Sequence, residues 1–251
     1  MNLLLVDPRE LDDRGEAILT GRRATHIRGV LGAAPGQRLR AGIVGGPIGD
    51  AEVIDVADGA IRIRFEAAGA PPSPLPIDLV LAVPRPKVLS RVLQAVAAVA
   101  VRRVDLVNAW RVDKSYFGSN RLEPERIHED LLLGAEQGET THLPAVDVHP
   151  RLMSYLDEQH PGTSTQQRKL IAHARGGMDL EVAFPPGSRS PVVLAIGPEG
   201  GWIDREVDTF AARGFAVVRL GAAILRVETA VTSALAQLML LRRLPPDILG
   251  I

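Results

Sequence analysis

The chain has 251 residues, 46% of them hydrophobic and 24% charged, with a formal net charge of −1. That composition is that of an ordinary globular protein able to bury a core. It excludes disorder and any global pull on nucleic acid, so an RNA or DNA contact must rest on local patches. Cysteine is absent, which removes disulfides, thiolate metal sites and thiol catalysis and suits a reducing cytoplasm.

The chain opens MNLLLVDPRELDD, a short apolar run followed by acids. No later run approaches the roughly 18 apolar residues of a membrane span, so the expected location is the cytoplasm. Residues 1–70 alternate short apolar runs with turn signals: LLLV, GQRLRAGIV, DAEVIDV and AIRIRFEA. The period-two placement of Ile61, Ile63 and Phe65 predicts a small β-rich domain built as a barrel. Within it, Gly21 to Arg40 carries Arg22, Arg23, Arg28, Arg38 and Arg40 with no acid among them. Such a segment is either a solvated arginine-rich face or a patch for nucleic acid. AAGAPPSPLPI, Ala67 to Ile77, has four prolines and one glycine in eleven positions; it predicts a linker at 71–77 before a second domain at 78–251.

Beyond the linker, short apolar strands alternate with longer helical segments. DLVLAV (Asp78 to Val83) reads as a strand and Lys87 to Val101 as a helix with a buried face. VDLVNA follows, then helices over Pro124 to Gln137 and around Arg151 to Gln159, then the strand KLIAHA. VVLAI (Val192 to Ile196), helix DREVDTFAAR with Asp204 as N-cap and Gly214 as C-cap, strand FAVVRL and a helix over Thr229 to Arg243 complete the series. This rhythm predicts an α/β domain with a mainly parallel sheet covered on both faces. Ligands in such sheets sit at the carboxyl ends of the strands, which directs attention to GPEGG after VVLAI and to LGAAILRVETA (Leu220 to Ala230) after FAVVRL.

The common signatures are missing. There is no G-x-x-x-x-G-K-[ST], and GIVGGPIG lacks G-x-G-x-x-G spacing, so ATP and NAD by the usual routes are disfavoured. The six histidines show no metal-ligand spacing, and no G-x-S-x-G supports serine hydrolysis. In LAIGPEGGWIDREV a carboxylate, Glu199, sits inside the tight loop and would repel phosphate. The loop therefore suits a neutral or cationic ligand or a proton transfer, unless Glu199 only faces the following helix dipole. Gly200 and Gly201 permit positive φ and close approach of backbone to a flat ligand, or simply a tight turn. In the second loop, Arg226 and Glu228 stand two residues apart just before a helix and could be a surface pair of little energetic weight.

Together, LAIGPEGGW and RLGAAILRVETAVTSAL (Arg219 to Leu235) resemble the paired C-terminal motifs of SPOUT methyltransferases. More closely, they resemble the ribosomal small-subunit methyltransferase E family, which methylates N3 of a uridine in 16S rRNA. HIRGVLGAAPGQRLRAGI and DAEVIDV are similar to that family's PUA-like, RNA-contacting barrel, and AEQGETTHLPAV to a segment of its middle region. The resemblance implies a deep trefoil knot in the C-terminal domain, a homodimer, and bound S-adenosylmethionine. The cofactor would lie between Ile196, Gly197, Glu199, Gly200 and Gly201 on one side and Leu220, Gly221, Ile224, Leu225, Arg226, Thr229 and Ala230 on the other. It further implies RNA contacts at Arg22, Arg23, His26, Arg28 and Arg38, with the small ribosomal subunit or its 16S rRNA as partner and no metal. In the implied chemistry Glu228 or Glu199 takes the N3 proton and Arg226 stabilises charge on the uracil oxygens.

The chain departs from the family pattern in places. Gly32 stands where arginine is common, the glutamate-leucine-glycine helix end is the alanine-rich QAVAAVAV, and Thr140, Thr141 and His142 replace expected arginines. These changes remove positive charge that phosphate contacts would use. Two other functions fit the same fold: methylation of another RNA atom such as a ribose 2′-hydroxyl, and catalytically silent binding to RNA or the ribosome.

Overall fold

The computed structural model describes residues 2–163, 166–246 and 248. It has two compact units, one made of residues up to Leu75 with Val96–Ala100 and Glu129–Pro144, the other of Pro76–Ala95, Val101–His128 and residues from Ala145 onward.

The first unit contains β1 (Leu4–Val6), β2 (Glu16–Thr20), α1 (Gly21–Gly29), β3 (Arg38–Ile43), β4 (Ile48–Ala57) and β5 (Ala60–Ala67). The strands form one sheet in the order β1-β3-β4-β5-β2. β1 is parallel to β3, and the other pairs are antiparallel. The expected barrel is thus a half-barrel with β1 and β2 as its edges. Its inner face follows the period-two pattern: Leu39, Ala41, Ala51, Val53, Ile61 and Ile63 are buried together with Leu19 and with Ala24 and Ile27 of α1. Asp58 and Gly59 make the two-residue turn between β4 and β5, and Gly59 takes the left-handed φ of 80° that glycine adopts without steric cost. β2 and α1 leave little trace in the local pattern. EAILT is a single short alternation, and α1 begins at a glycine and has no side-chain hydrogen bond at its N-cap, Thr20.

The remaining elements are β6 (Leu75–Ala82), α2 (Pro86–Ala98), β7 (Val101–Val107), α3 (Lys114–Phe117), α4 (Pro124–Gly138), β8 (Ala145–His149), α5 (Leu152–Gln159), β9 (Arg168–Ala172), β10 (Met178–Asp179), α6 (Leu180–Ala183), β11 (Val192–Ile196), α7 (Asp204–Ala212), β12 (Ala216–Arg219) and α8 (Val227–Arg243). Two boundaries differ from expectation. Residues 75–77, read as linker, begin β6, because leucine and isoleucine around Pro76 are drawn into the sheet. α2 stops at Ala98, and Val101 opens β7 after Ala100 turns the chain at φ 54°. The seven strands of the second unit run β10-β12-β9-β11-β6-β7-β8. β11 pairs in parallel with β6 and β9, β12 with β9 and β10, and β7 with β8. All five residues of β11 are buried, as a strand flanked on both sides in a covered parallel sheet should be.

Toward the β8 edge of this sheet a buried polar cluster ties β7, β8 and α5 together. Asp105 accepts from Arg103 Nε at 3.0 Å, meets His149 Nε2 at 2.8 Å and accepts from the Tyr155 hydroxyl at 3.2 Å. Tyr155 Oη lies 3.2 Å from His160 Nε2. Burial, reinforced by the nearby Lys169 ammonium, pushes His160 down to about 4.

Ala100 occupies a left-handed conformation that penalises a Cβ, so Ala100→Gly should raise stability by about 0.5–1 kcal/mol in denaturant titrations, net of glycine's greater unfolded-chain entropy. Because His160 is held neutral when folded, its contribution is complete above its ordinary 6.5 and is lost as pH falls from there toward about 4. Unfolding measured at pH 7.5, 5.5 and 4.5 should show a smaller decline for His160→Gln than for the parent chain.

Candidate functional site

The loops that follow β6, β7, β9, β11 and β12 meet in one cavity of about 840 Å³, within the size range of small-molecule sites. Strand register brings them together: Ile196 stands beside Leu81, Ala195 beside Ile171, and Ala172 beside Val218.

The loop after β11 is built tightly. The Gly201 N–H donates to the Pro198 carbonyl at 2.8 Å, and Gly201 has φ 71°. A Cβ on Gly197 would come within 3.2 Å of the Trp202 ring and backbone nitrogen, so these glycines answer a steric demand. Glu199 is not a loose carboxylate. Its Oε1 accepts the Arg85 N–H at 2.9 Å, with Arg85 Nε 3.9 Å away, which ties the loop after β11 to the one after β6. Arg111 Nη1 donates to the Gly200 carbonyl at 2.6 Å from the loop after β7.

Beneath them lies Glu206, buried in the first turn of α7. One of its oxygens accepts from Trp110 N at 2.8 Å and the other from Ile203 N at 3.0 Å. A carboxylate at this position satisfies backbone donors that a helix start leaves open. Ile203, with Asp204 as the first helical residue, takes the N-cap place expected for Asp204; Gly214 follows the C-cap Arg213 at φ 83°.

The loop after β12 is held by Gln237 Nε2 of α8, which donates to the Leu220 carbonyl at 3.1 Å. Arg226 is the N-cap residue of α8, and its carbonyl accepts from Ala230 N at 2.7 Å. Among the described residues the Arg226 and Glu228 side chains have no hydrogen-bond or ion-pair partner, and both line the cavity.

Ile196, Gly197, Glu199, Gly200, Gly201, Leu220, Gly221, Ile224, Leu225, Arg226, Glu228 and Ala230 all line this one cavity. Thr229 does not: it is exposed in the first turn of α8. Sequence reasoning missed Arg85, Arg111, His173, Arg175 and Trp202. Arg85, Arg111, His173 and Arg175 come from the loops after β6, β7 and β9; only the last holds a glycine pair, Gly176 and Gly177, which is the signal that could have pointed to His173 and Arg175. Trp202 adjoins GPEGG, and that position is the one signal that could have found it. Among the described residues no group of His, Asp or Glu is arranged to hold a metal ion, and no helix is long and apolar enough to cross a membrane.

In the first unit the arginines of the Gly21–Arg40 segment, Arg22, Arg23, Arg28 and Arg38 expected to meet RNA among them, have acidic partners that the local sequence does not show. Arg22 pairs with Glu136 at 2.8 Å, Arg28 with Asp58 at 2.8 Å, Arg38 with Glu66, and Arg40 with Glu139 at 3.1 Å. Arg23 is bound to Glu10 and to the Leu5 carbonyl and holds the fold. His26 is half-buried in α1. Exposed pairs of this kind contribute little and exchange partners readily, so Arg28 and Arg38 stay available to phosphates in a way Arg23 does not.

Residues 71–239 match the model of the RNA methyltransferase domain. Ribosomal RNA small subunit methyltransferase E of Treponema pallidum is 32% identical over 242 residues, which is 94% of this chain and 90% of that protein. The chain belongs to this family of RNA methyltransferases. The protein of the same name from Synechocystis is 28% identical, covering 94% of this chain and 76% of its own. Among solved structures, ribosomal RNA small subunit methyltransferase E from Neisseria gonorrhoeae, bound to S-adenosyl methionine, superposes with a TM-score of 0.78 at 23% identity over 95% of this chain and 97% of its own. That likeness extends the family fold over both units.

Removal of the Glu206 carboxylate leaves two backbone donors without acceptors. Glu206→Ala should therefore cost about 1–3 kcal/mol in thermal unfolding, and faster amide exchange at Trp110 and Ile203 should accompany it. Glu206→Gln, which keeps one acceptor oxygen, should cost less.

Proposed function

We propose that the chain methylates N3 of a uridine in 16S ribosomal RNA, with S-adenosylmethionine as donor. The observation that carries this reading is the convergence of the GPEGG and ILRVETA loops on one cavity, with Arg226 and Glu228 unengaged beside it. The full-length relationship to the Treponema pallidum enzyme supports the substrate, and the bound cofactor in the Neisseria gonorrhoeae structure supports the donor.

The lining fits that donor. Ile196, Leu220, Ile224, Leu225 and Val227 offer an apolar surface to a purine, and the glycines let backbone approach its edge. Glu199, Asp204 and Glu228 are carboxylates that a cationic sulfur can face, and Arg85, Arg111, Arg175 and Arg226 on the same lining suit an anionic RNA substrate. When bound, S-adenosylmethionine supplies a methyl group carried on a positively charged sulfur and leaves as a neutral thioether. Most of the acceleration would come from alignment of the two reactants by walls that are already fixed.

Uracil N3 bears a proton at neutral pH and must lose it as the new N–CH3 bond forms. Glu228 is the group to take it, since one oxygen of Glu199 is occupied by the Arg85 N–H; Glu199 then acts as a staple that keeps the loop in shape. Arg226 would donate to the uracil oxygens as they gain negative charge. The half-barrel serves as a PUA-like RNA-binding domain through Arg28 and Arg38, aided by Arg22 and His26. The same reading places residues 78–251 in a SPOUT domain with a trefoil knot, the protein in the cytoplasm, and the active form in a homodimer.

Arg226→Ala and Glu228→Gln should each lower kcat about 100-fold or more, with cofactor binding in calorimetry largely retained; near-normal turnover by both would overturn these roles. Mass-spectrometric mapping of rRNA from cells with and without the gene should show N3-methyluridine only in the former. A ribose 2′-O-methyl group lost with the gene instead would redirect the assignment, and an unchanged profile with no cofactor binding would favour a silent binding protein.

A further inference from the structure

Trp110 is 80% exposed, the most exposed large hydrophobic side chain among the described residues. Leaving an indole in water forgoes one of the largest burial gains a side chain offers, so its setting is informative. It occupies a turn from Ala109 to Val112, closed by Val112 N–H to the Ala109 carbonyl at 3.1 Å. Both ends of that turn are buried, Ala109 at 4% and Val112 at 7% exposure. The Trp110 N–H is fixed to buried Glu206 at 2.8 Å, and the next residue, Arg111, is fixed to the Gly200 carbonyl at 2.6 Å. The backbone that displays the ring is therefore fixed on both sides, by buried Glu206 and, through Arg111 and Gly200, by two residues of the cavity wall.

Arg111, the residue next to Trp110, lines the cavity, and that cavity carries further cations. Arg85, Arg111, Arg175 and Arg226 all line the adjoining cavity and all are exposed. An aromatic face beside exposed guanidinium groups is how proteins hold unpaired nucleic-acid bases: each base stacks on a ring while its phosphates meet the cations. A protein partner would have to desolvate those arginines, whereas RNA brings the opposite charge.

We propose that Trp110 is the stacking platform for an unpaired RNA base beside the methyl-transfer cavity. The inference rests on the RNA-methylating reading above and deepens it by assigning a positioning residue for the substrate. Stacking is worth about five- to 150-fold in affinity per base by alanine substitution, and it needs no particular base. Trp110 thus contributes affinity and orientation, and the choice of nucleotide lies elsewhere.

The chain has two tryptophans, and the other, Trp202, is 3% exposed. Solvent-exposed emission thus reports on Trp110. Titration of the full-length protein with single-stranded oligouridylate, without cofactor, should quench this component, and Trp110→Phe should abolish the quenching while keeping affinity within about threefold. Trp110→Ala should raise the KM for RNA about tenfold, with kcat at saturating RNA and S-adenosylmethionine affinity nearly unchanged. Emission that ignores oligouridylate, or a Trp110→Ala variant with unaltered KM, overturns the proposal. So does an emission shift that follows protein concentration alone, which would place the ring against a second copy of the chain. Failure of the methyltransferase reading shows separately, as absent cofactor binding in calorimetry, whereas quenching is read without cofactor.

Discussion

β11 lies between β6 and β9 with parallel register on both sides, and this pairing decides where the chemistry can be. A parallel sheet brings the carboxyl ends of its strands to one edge, so the loops after β6, β9, β11 and β12 emerge side by side. Loops leave backbone donors and acceptors without ladder partners. Here side chains meet several of them: Glu199 takes the Arg85 N–H, Arg111 reaches the Gly200 carbonyl, Glu206 takes Trp110 N and Ile203 N, and Gln237 reaches the Leu220 carbonyl. Most of these bonds join segments distant in sequence, and together they give the cavity fixed walls.

Charge does different work in the two units. Around the cavity, Glu199 and Glu206 are engaged with backbone amides, while Arg226 and Glu228 have no side-chain partner among the described residues. Under the roles proposed for Arg226 and Glu228, this division would leave the base and the charge-stabilising cation free to exchange partners during a reaction, beside groups that are occupied. In the half-barrel, arginines that look unopposed along the chain are met by acids contributed by other segments, such as Asp58 for Arg28 and Glu66 for Arg38. Local sequence overstates the positive potential there. Folding restores near-neutrality, so an RNA contact at this face would proceed by exchange of carboxylates for phosphates.

Ala100 illustrates how the chain tolerates a local fault. A non-glycine residue in the left-handed region costs about 1–2 kcal/mol, yet the α2-to-β7 turn is kept because the Ala100 N–H reaches the Ala97 carbonyl at 3.0 Å and the Ala100 carbonyl receives the Leu75 N–H at 2.8 Å. Tertiary pairing outweighs the local preference, as it commonly does at element ends.

The strands with continuous or alternating apolar residues are legible in the chain itself: VVLAI, FAVVRL and AIRIRFEA carry their periodicity in a few adjacent positions. The GPEGG and ILRVETA loops are legible too, through glycine and paired charges. β2, α1, β8 and β10 are not, because they are short, their apolar residues are few, and their stability comes from partners elsewhere in the chain. The same limit hides Arg85, Arg111 and Trp110, single residues on loops without a motif. The sequence by itself determined the α/β class, the two cofactor-like loops and the family resemblance, since these depend on local pattern. Only the tertiary structure decided that five loops share one cavity, that Glu199 accepts the Arg85 N–H, and that the arginines of the half-barrel are paired, because hydrogen bonds and ion pairs between distant segments leave no periodic trace in the chain.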